Sequence, residues 1–153
     1  MLSCTSNGEQ RMPTRKSSAV WEGGLKSGKG SYKVGDAGTS GAYNFGSRFE
    51  EGTGSNPEEL LAAAEAACYS MALSGGLEKN GTPPQKISTT AECTVEKGDT
   101  GFQITTMKLH VEASVPNIDD AKFQEIANAT LTGCPVSKAF SGNLNFGVDA
   151  RLV

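Results

Sequence analysis

Four cysteines, Cys4, Cys68, Cys93 and Cys134, are the side chains best suited to chemistry, and they stand far apart with no CxxC pair among them. With His110 as the single histidine, the ligand set and spacing of a zinc site are missing. The chemistry at issue is that of thiolates, so each cysteine is weighed by whether its surroundings would ionise it. Cys68 falls on a helical stripe with Leu60, Leu61, Ala64, Met71 and Ala72, which reads most simply as a small buried hydrophobe. Cys134 lies between Gly133 and Pro135, a helix N-cap position beside unpaired backbone N–H groups that favour a thiolate. Cys93 alternates with the apolar residues of a strand and Cys4 lies in a polar arm, so neither has an activating neighbour. His110 shares a strand face with Lys108, Glu112 and Ser114 and reads as a solvated side chain instead of a general base. Arg48 and Glu58 flank the glycine-containing loop before the first long helix; singly, each reads as a surface charge.

These residues must be held by a chain of 153 residues, long enough for one domain with a core. Hydrophobic residues at 37% and charged residues at 20% exclude a disordered polyelectrolyte. A net charge of -3, from 14 basic and 17 acidic residues, offers no reason to bind nucleic acid or anionic lipid. The apolar stretch Leu60 to Leu73 is shorter than the roughly 20 residues that span a bilayer. The residues before Ser17 lack the apolar centre of a secretory signal, so a cytoplasmic location and reduced thiols are expected. Residues 1–16 read as a loose arm, with Met12 a possible start, and residues 17–153 as a single domain.

Glycines from Gly23 to Gly41 read as hairpin punctuation between short strands at Ala19 to Glu22, Gly30 to Val34 and Tyr43 to Phe49. Asn56-Pro57-Glu58-Glu59 places a cap, a proline and two acids where a helix begins, and Asn80-Gly81 ends it. Its apolar stripe is read as inward, with Glu65 and Glu78 off it. Alternation from Ile87 to Val95 and from Thr105 to Val115 predicts an antiparallel hairpin. A helix capped by Asp119 or Asp120 and stopped at Gly133, a short helix from Cys134-Pro135 to about Phe140, and a closing strand from Leu144 to Leu152 complete the chain. The class is α+β, a mostly antiparallel sheet packed against a long central helix.

Taken together, Arg48-Phe49-Glu50, Gly54 to Ala64, Ala66 to Leu73 and Gly133-Cys134-Pro135-Val136-Ser137 resemble the OsmC/Ohr family of thiol peroxidases, over roughly residues 17–153. Asn56 to Leu61, Ser70 to Leu73 and Val136-Ser137 look closest to the OsmC branch. One departure is Glu65, where many members of that branch have histidine; another is the long arm.

The resemblance implies reduction of organic hydroperoxides, with Cys68 as the attacking thiolate, Cys134 as the resolving thiol, and Arg48 and Glu58 completing the site. It also implies an intertwined homodimer, a dithiol electron donor that is a small thiol or lipoyl-type protein, and no cofactor or metal. Arginine suits a thiolate because it cannot deprotonate, and a carboxylate can hold its fork. Cap position alone favours Cys134 as the more acidic sulfur, whereas the family assigns attack to Cys68. Glu58 and Cys68 are ten residues apart on one helix, about 15 Å along its axis. A site containing both is therefore expected at a dimer interface. The alternatives are a non-enzymatic redox sensor or hydrophobic-ligand-binding protein of the same fold, and a structural dimer with incidental cysteines.

Overall fold

The computed structural model describes residues 13–36 and 38–153, so the arm read over residues 1–16 lies largely outside the described residues. The chain forms two compact units, one up to Gly54 and the other from Ser55 to Val153.

In the first unit, β1 (Ser17–Glu22), β2 (Lys29–Val34) and β3 (Thr39–Asn44) form an antiparallel sheet in that order. The glycines have two separate uses. Gly23, Gly35 and Gly38 take the positive φ angles that turns require. Gly30 and Gly41 instead lie inside strands, under aromatic rings: a Cβ on Gly30 would sit 2.6 Å from the Tyr43 ring and 2.8 Å from Trp21. Trp21, Gly30 and Tyr43 are successive cross-strand partners, so the missing side chain lets the two rings meet at 5.5 Å.

The strand expected over Tyr43 to Phe49 ends at Asn44, and Phe45–Phe49 is a short helix, α1. The cause is a capping box: Asn44 Oδ1 accepts the Ser47 N–H at 2.9 Å, and Ser47 Oγ accepts the Asn44 N–H at 2.9 Å. Aromatic content suggested a strand; the cap pair turned it into a helix.

The second unit is built on α2 (Pro57–Lys79), which packs on the sheet of β4 (Lys86–Gly98), β5 (Gly101–Ser114) and β6 (Asn145–Leu152), with α3 (Asp120–Gly133) and α4 (Pro135–Phe140) between β5 and β6. β4 and β5 form the expected antiparallel hairpin, with a bulge at Thr94/Val95. β6 runs parallel to β5, which two helices in the crossover permit. Tyr69, Leu73 and Leu77 of α2, Leu109 and Val111 of β5, and Phe123 and Ala127 of α3 make the core. Each large side chain there contributes roughly 1.5–3 kcal/mol by leaving water. Tyr69 adds a hydrogen bond from its hydroxyl to Ala127 O at 2.8 Å.

The inward face of α2 differs from the stripe read in the sequence. Its buried residues are Glu58, Glu65, Tyr69, Leu73 and Leu77, while Ala64, Ala67 and Met71 are exposed. The helix is apolar nearly all round, so spacing alone leaves its inward face undecided. It runs well beyond Leu60 to Leu73 and is long and apolar enough, by composition, to cross a membrane. Here it is the core helix of an α+β unit.

Candidate active site

Two helix ends position the sulfurs. Asn56 caps α2 by accepting the Glu59 N–H at 2.8 Å, and Pro57 occupies its first turn. From there the helical repeat carries Glu65 and Cys68 to neighbouring positions three residues apart. Cys134 closes α3 and opens α4. Its N–H donates to Thr130 O at 2.9 Å and its carbonyl accepts the Lys138 N–H at 2.9 Å, so its backbone is tied on both sides.

The side chain of Cys134 makes no capping hydrogen bond. It is fully buried, and its Sγ shares a thiol–thiol hydrogen bond with Cys68 Sγ at 2.9 Å across 66 residues of sequence. The Val136 N–H, in the first turn of α4, is directed to the Cys68 sulfur and favours its ionised form. The cap that the sequence assigned to Cys134 therefore serves Cys68. Burial nevertheless pushes the Cys68 thiol up, as do the Cys134 hydrogen bond and the charges of Cys134 and Glu65.

Glu58 is buried in the first turn of α2, and its charge reaches Cys93 on β4, whose thiol is pushed up first by burial and then by that carboxylate. Arg48 belongs to the first unit, where its guanidinium carbon lies 5.0 Å from the Phe49 ring centroid. It lines an aromatic pocket there with Trp21, Tyr43, Phe45 and Phe49. His110 is half exposed on the sheet, 3.5 Å from a Glu92 oxygen and 4.0 Å from an Asp149 oxygen. No cluster of three or more His, Cys, Asp or Glu side chains among the described residues could hold a metal ion.

The OsmC-like protein family matches residues 50–149. Peroxiredoxin OsmC of Escherichia coli (strain K12) is 43% identical over 139 residues, covering 90% of this chain and 96% of that protein. The chain belongs to the OsmC-like family. Organic hydroperoxide resistance protein OhrB of Bacillus subtilis (strain 168) is 33% identical over 100 residues, covering 65% of this OsmC-like chain and 71% of OhrB. The crystal structure of OhrB from Bacillus subtilis superposes with a TM-score of 0.70 at 25% identity, over 89% of this chain and 98% of OhrB. An OsmC-like protein from Mycoplasma pneumoniae shares the fold with a TM-score of 0.71 at 18% identity, over 92% and 98% of the two chains.

Sequence reasoning placed Glu65 off the inward stripe of this OsmC-like helix, and missed its partner. Glu65 is fully buried, and Ser137 Oγ of α4 donates to its Oε1 at 2.6 Å. Its spacing of four to Tyr69, Leu73 and Leu77 was the available signal. Burial pushes the Glu65 carboxyl above its ordinary value of 4.5, against the Ser137 hydrogen bond, which pulls it down. A carboxyl that keeps its proton to higher pH in the folded chain than in the unfolded one costs stability as pH rises through that window. Glu65→Gln, neutral throughout, is expected to flatten the stability curve upward from pH 4.5. Urea midpoints up to about pH 8 check this; parallel curves for the two proteins would contradict it.

Proposed function

We propose that this protein is a thiol-dependent peroxidase that reduces organic hydroperoxides to alcohols, with Cys68 as the attacking thiolate and Cys134 as the resolving thiol. The observation that carries the reading is the 2.9 Å approach of the two sulfurs. The thiolate of Cys68 attacks the O–O bond, giving two electrons to oxygen; a proton completes the alcohol, and Cys68 becomes a sulfenic acid. Cys134 then attacks that sulfur, the S–O bond breaks, and water leaves as the S–S bond forms. A dithiol donor returns both cysteines to thiols and is itself oxidised to a disulfide. The names of the relatives, peroxiredoxin OsmC and organic hydroperoxide resistance protein OhrB, agree with this chemistry.

Within the second unit the balance of burial and neighbours raises the Cys68 thiol, a shift that an activating cation would oppose. Arg48 is assigned that role, and its aromatic pocket suits a hydroperoxide with an apolar tail. Glu58 would hold the guanidinium in a forked pair. Because Glu58 and Cys68 lie about 15 Å apart along α2, the complete site is assigned to a homodimer in which one subunit supplies groups to the other. The exposed apolar strip of Ala63, Ala64, Ala67 and Met71 on α2 is consistent with a second copy covering it. Cytoplasmic thiols, kept reduced, suit the cycle.

Incubation with cumene hydroperoxide and excess dithiothreitol tests the reading. Consumption of peroxide in large excess over protein is expected. Oxidation of one equivalent followed by arrest would favour the redox-sensor alternative, and equilibrium sedimentation showing an active monomer would exclude the shared site.

A further inference from the structure

Glu65 is the one fully buried charged-type side chain among the described residues, and its Oε2 has no hydrogen-bonding partner among them. A carboxyl in that setting is costly unless something is gained by it. It lies one helical turn before Cys68, and its other oxygen holds Ser137, three residues after Cys134. Three links thus join α4 to α2: the sulfur pair, the Val136 N–H to the Cys68 sulfur, and Ser137 to Glu65.

The first two links depend on the state of the Cys68 sulfur. Once peroxide converts it to a sulfenic acid, an added oxygen must be accommodated where the two sulfurs stand 2.9 Å apart, and both links must rearrange around it. The third link contains no sulfur and is unchanged by oxidation. α4 is six residues long, and of these three links Ser137 to Glu65 is the one that holds it to α2 whatever the state of the sulfur.

We propose that Glu65 and Ser137 form a clasp, indifferent to redox state, that positions Cys134 for attack on the Cys68 sulfenic acid. The proposal rests on the reading of Cys68 and Cys134 given above. The step it serves is balanced within the chain: the S–S bond forms, the S–O bond breaks, and the Cys134 proton leaves with the hydroxyl as water. Glu65 and Ser137 are positioning residues, acting through the placement of Cys134. Gln at position 65 keeps an oxygen that can accept the Ser137 hydroxyl, whereas Ala removes it.

The test is a single turnover of the full chain with less than one equivalent of cumene hydroperoxide, followed in wild type, Glu65→Gln, Glu65→Ala, Ser137→Ala and the double Ala variant. Peroxide loss reports the first step. Dimedone-trapped sulfenic acid against disulfide, both read by mass spectrometry, reports closure. Closure is expected to slow about 10- to 100-fold in each Ala variant, with the first step not slowed, the double variant no worse than either single one, and closure in Gln close to wild type. Should Glu65→Ala not fold, Ser137→Ala, which deletes one hydroxyl, decides the matter. Wild-type closure in Ser137→Ala, equal slowing of both steps, or a Gln variant as impaired as Ala would overturn the clasp. A wild-type protein that consumes peroxide without joining Cys68 to Cys134 would instead overturn the underlying reading, and the clasp with it.

Discussion

Replacing Cys68 with serine is expected to lower the rate of peroxide reduction by about 10³-fold or more. A serine hydroxyl is not ionised near neutral pH and is a poor nucleophile toward peroxide oxygen, while its size is close to that of the thiol. The fold should therefore survive. Cys134→Ser is expected to behave differently: the first oxidation proceeds, but the sulfenic acid on Cys68 has no internal partner and advances to sulfinic acid with further peroxide. Residual peroxide against time, together with the oxidation state of each sulfur, checks both variants. Turnover retained by Cys68→Ser, or a first step lost in Cys134→Ser, would show that the roles are misassigned.

The second large effect is expected at Arg48. A thiol with the unperturbed pKa of about 8.5 is only about 3% ionised at pH 7, and a cation within reach lowers a pKa by about 1–3 units. In the second unit Cys68 is pushed the other way, first by burial and then by the hydrogen bond it shares with Cys134, with the Val136 N–H opposing. Arg48→Ala is therefore expected to slow the first step about 10- to 30-fold at pH 7, with most of the loss recovered as pH rises toward the thiol range. Lysine at this position should keep part of the rate, since it retains the charge and loses the fork. The pH dependence of single-turnover oxidation checks this. An alanine variant whose profile overlays the wild type would remove Arg48 from the site.

Local chemistry made most of the elements legible. Asn56-Pro57 started α2 and Asp119 started α3 because caps act on adjacent backbone groups, and the β4–β5 hairpin followed from strict alternation. Where two signals competed, the reading went astray. The aromatics of Tyr43 to Phe49 suggested a strand, but the Asn44–Ser47 pair made α1 a helix. Gly30 and Gly41 looked like turn residues and instead make room for rings in mid-strand. The motifs pointed to Cys68 and Cys134 together, and the folded unit brings their sulfurs to 2.9 Å. The Ser137–Glu65 contact was not legible, because its partners are 72 residues apart and a glutamate on an apolar helix reads as solvent-facing until the packed face is known. Nor does cap position alone tell which sulfur the N-terminus of α4 serves: the backbone N–H goes to Cys68 although Cys134 occupies the cap position.

The most direct measurement is mass spectrometry of the intact, fully reduced protein after one equivalent of an organic hydroperoxide, followed by non-reducing peptide mapping. Loss of two hydrogens and a single cross-linked peptide pair containing Cys68 and Cys134 is the expected result. A sulfinic acid on Cys68 beside a free Cys134 thiol, or a disulfide that uses Cys93 or Cys4, would contradict the mechanism.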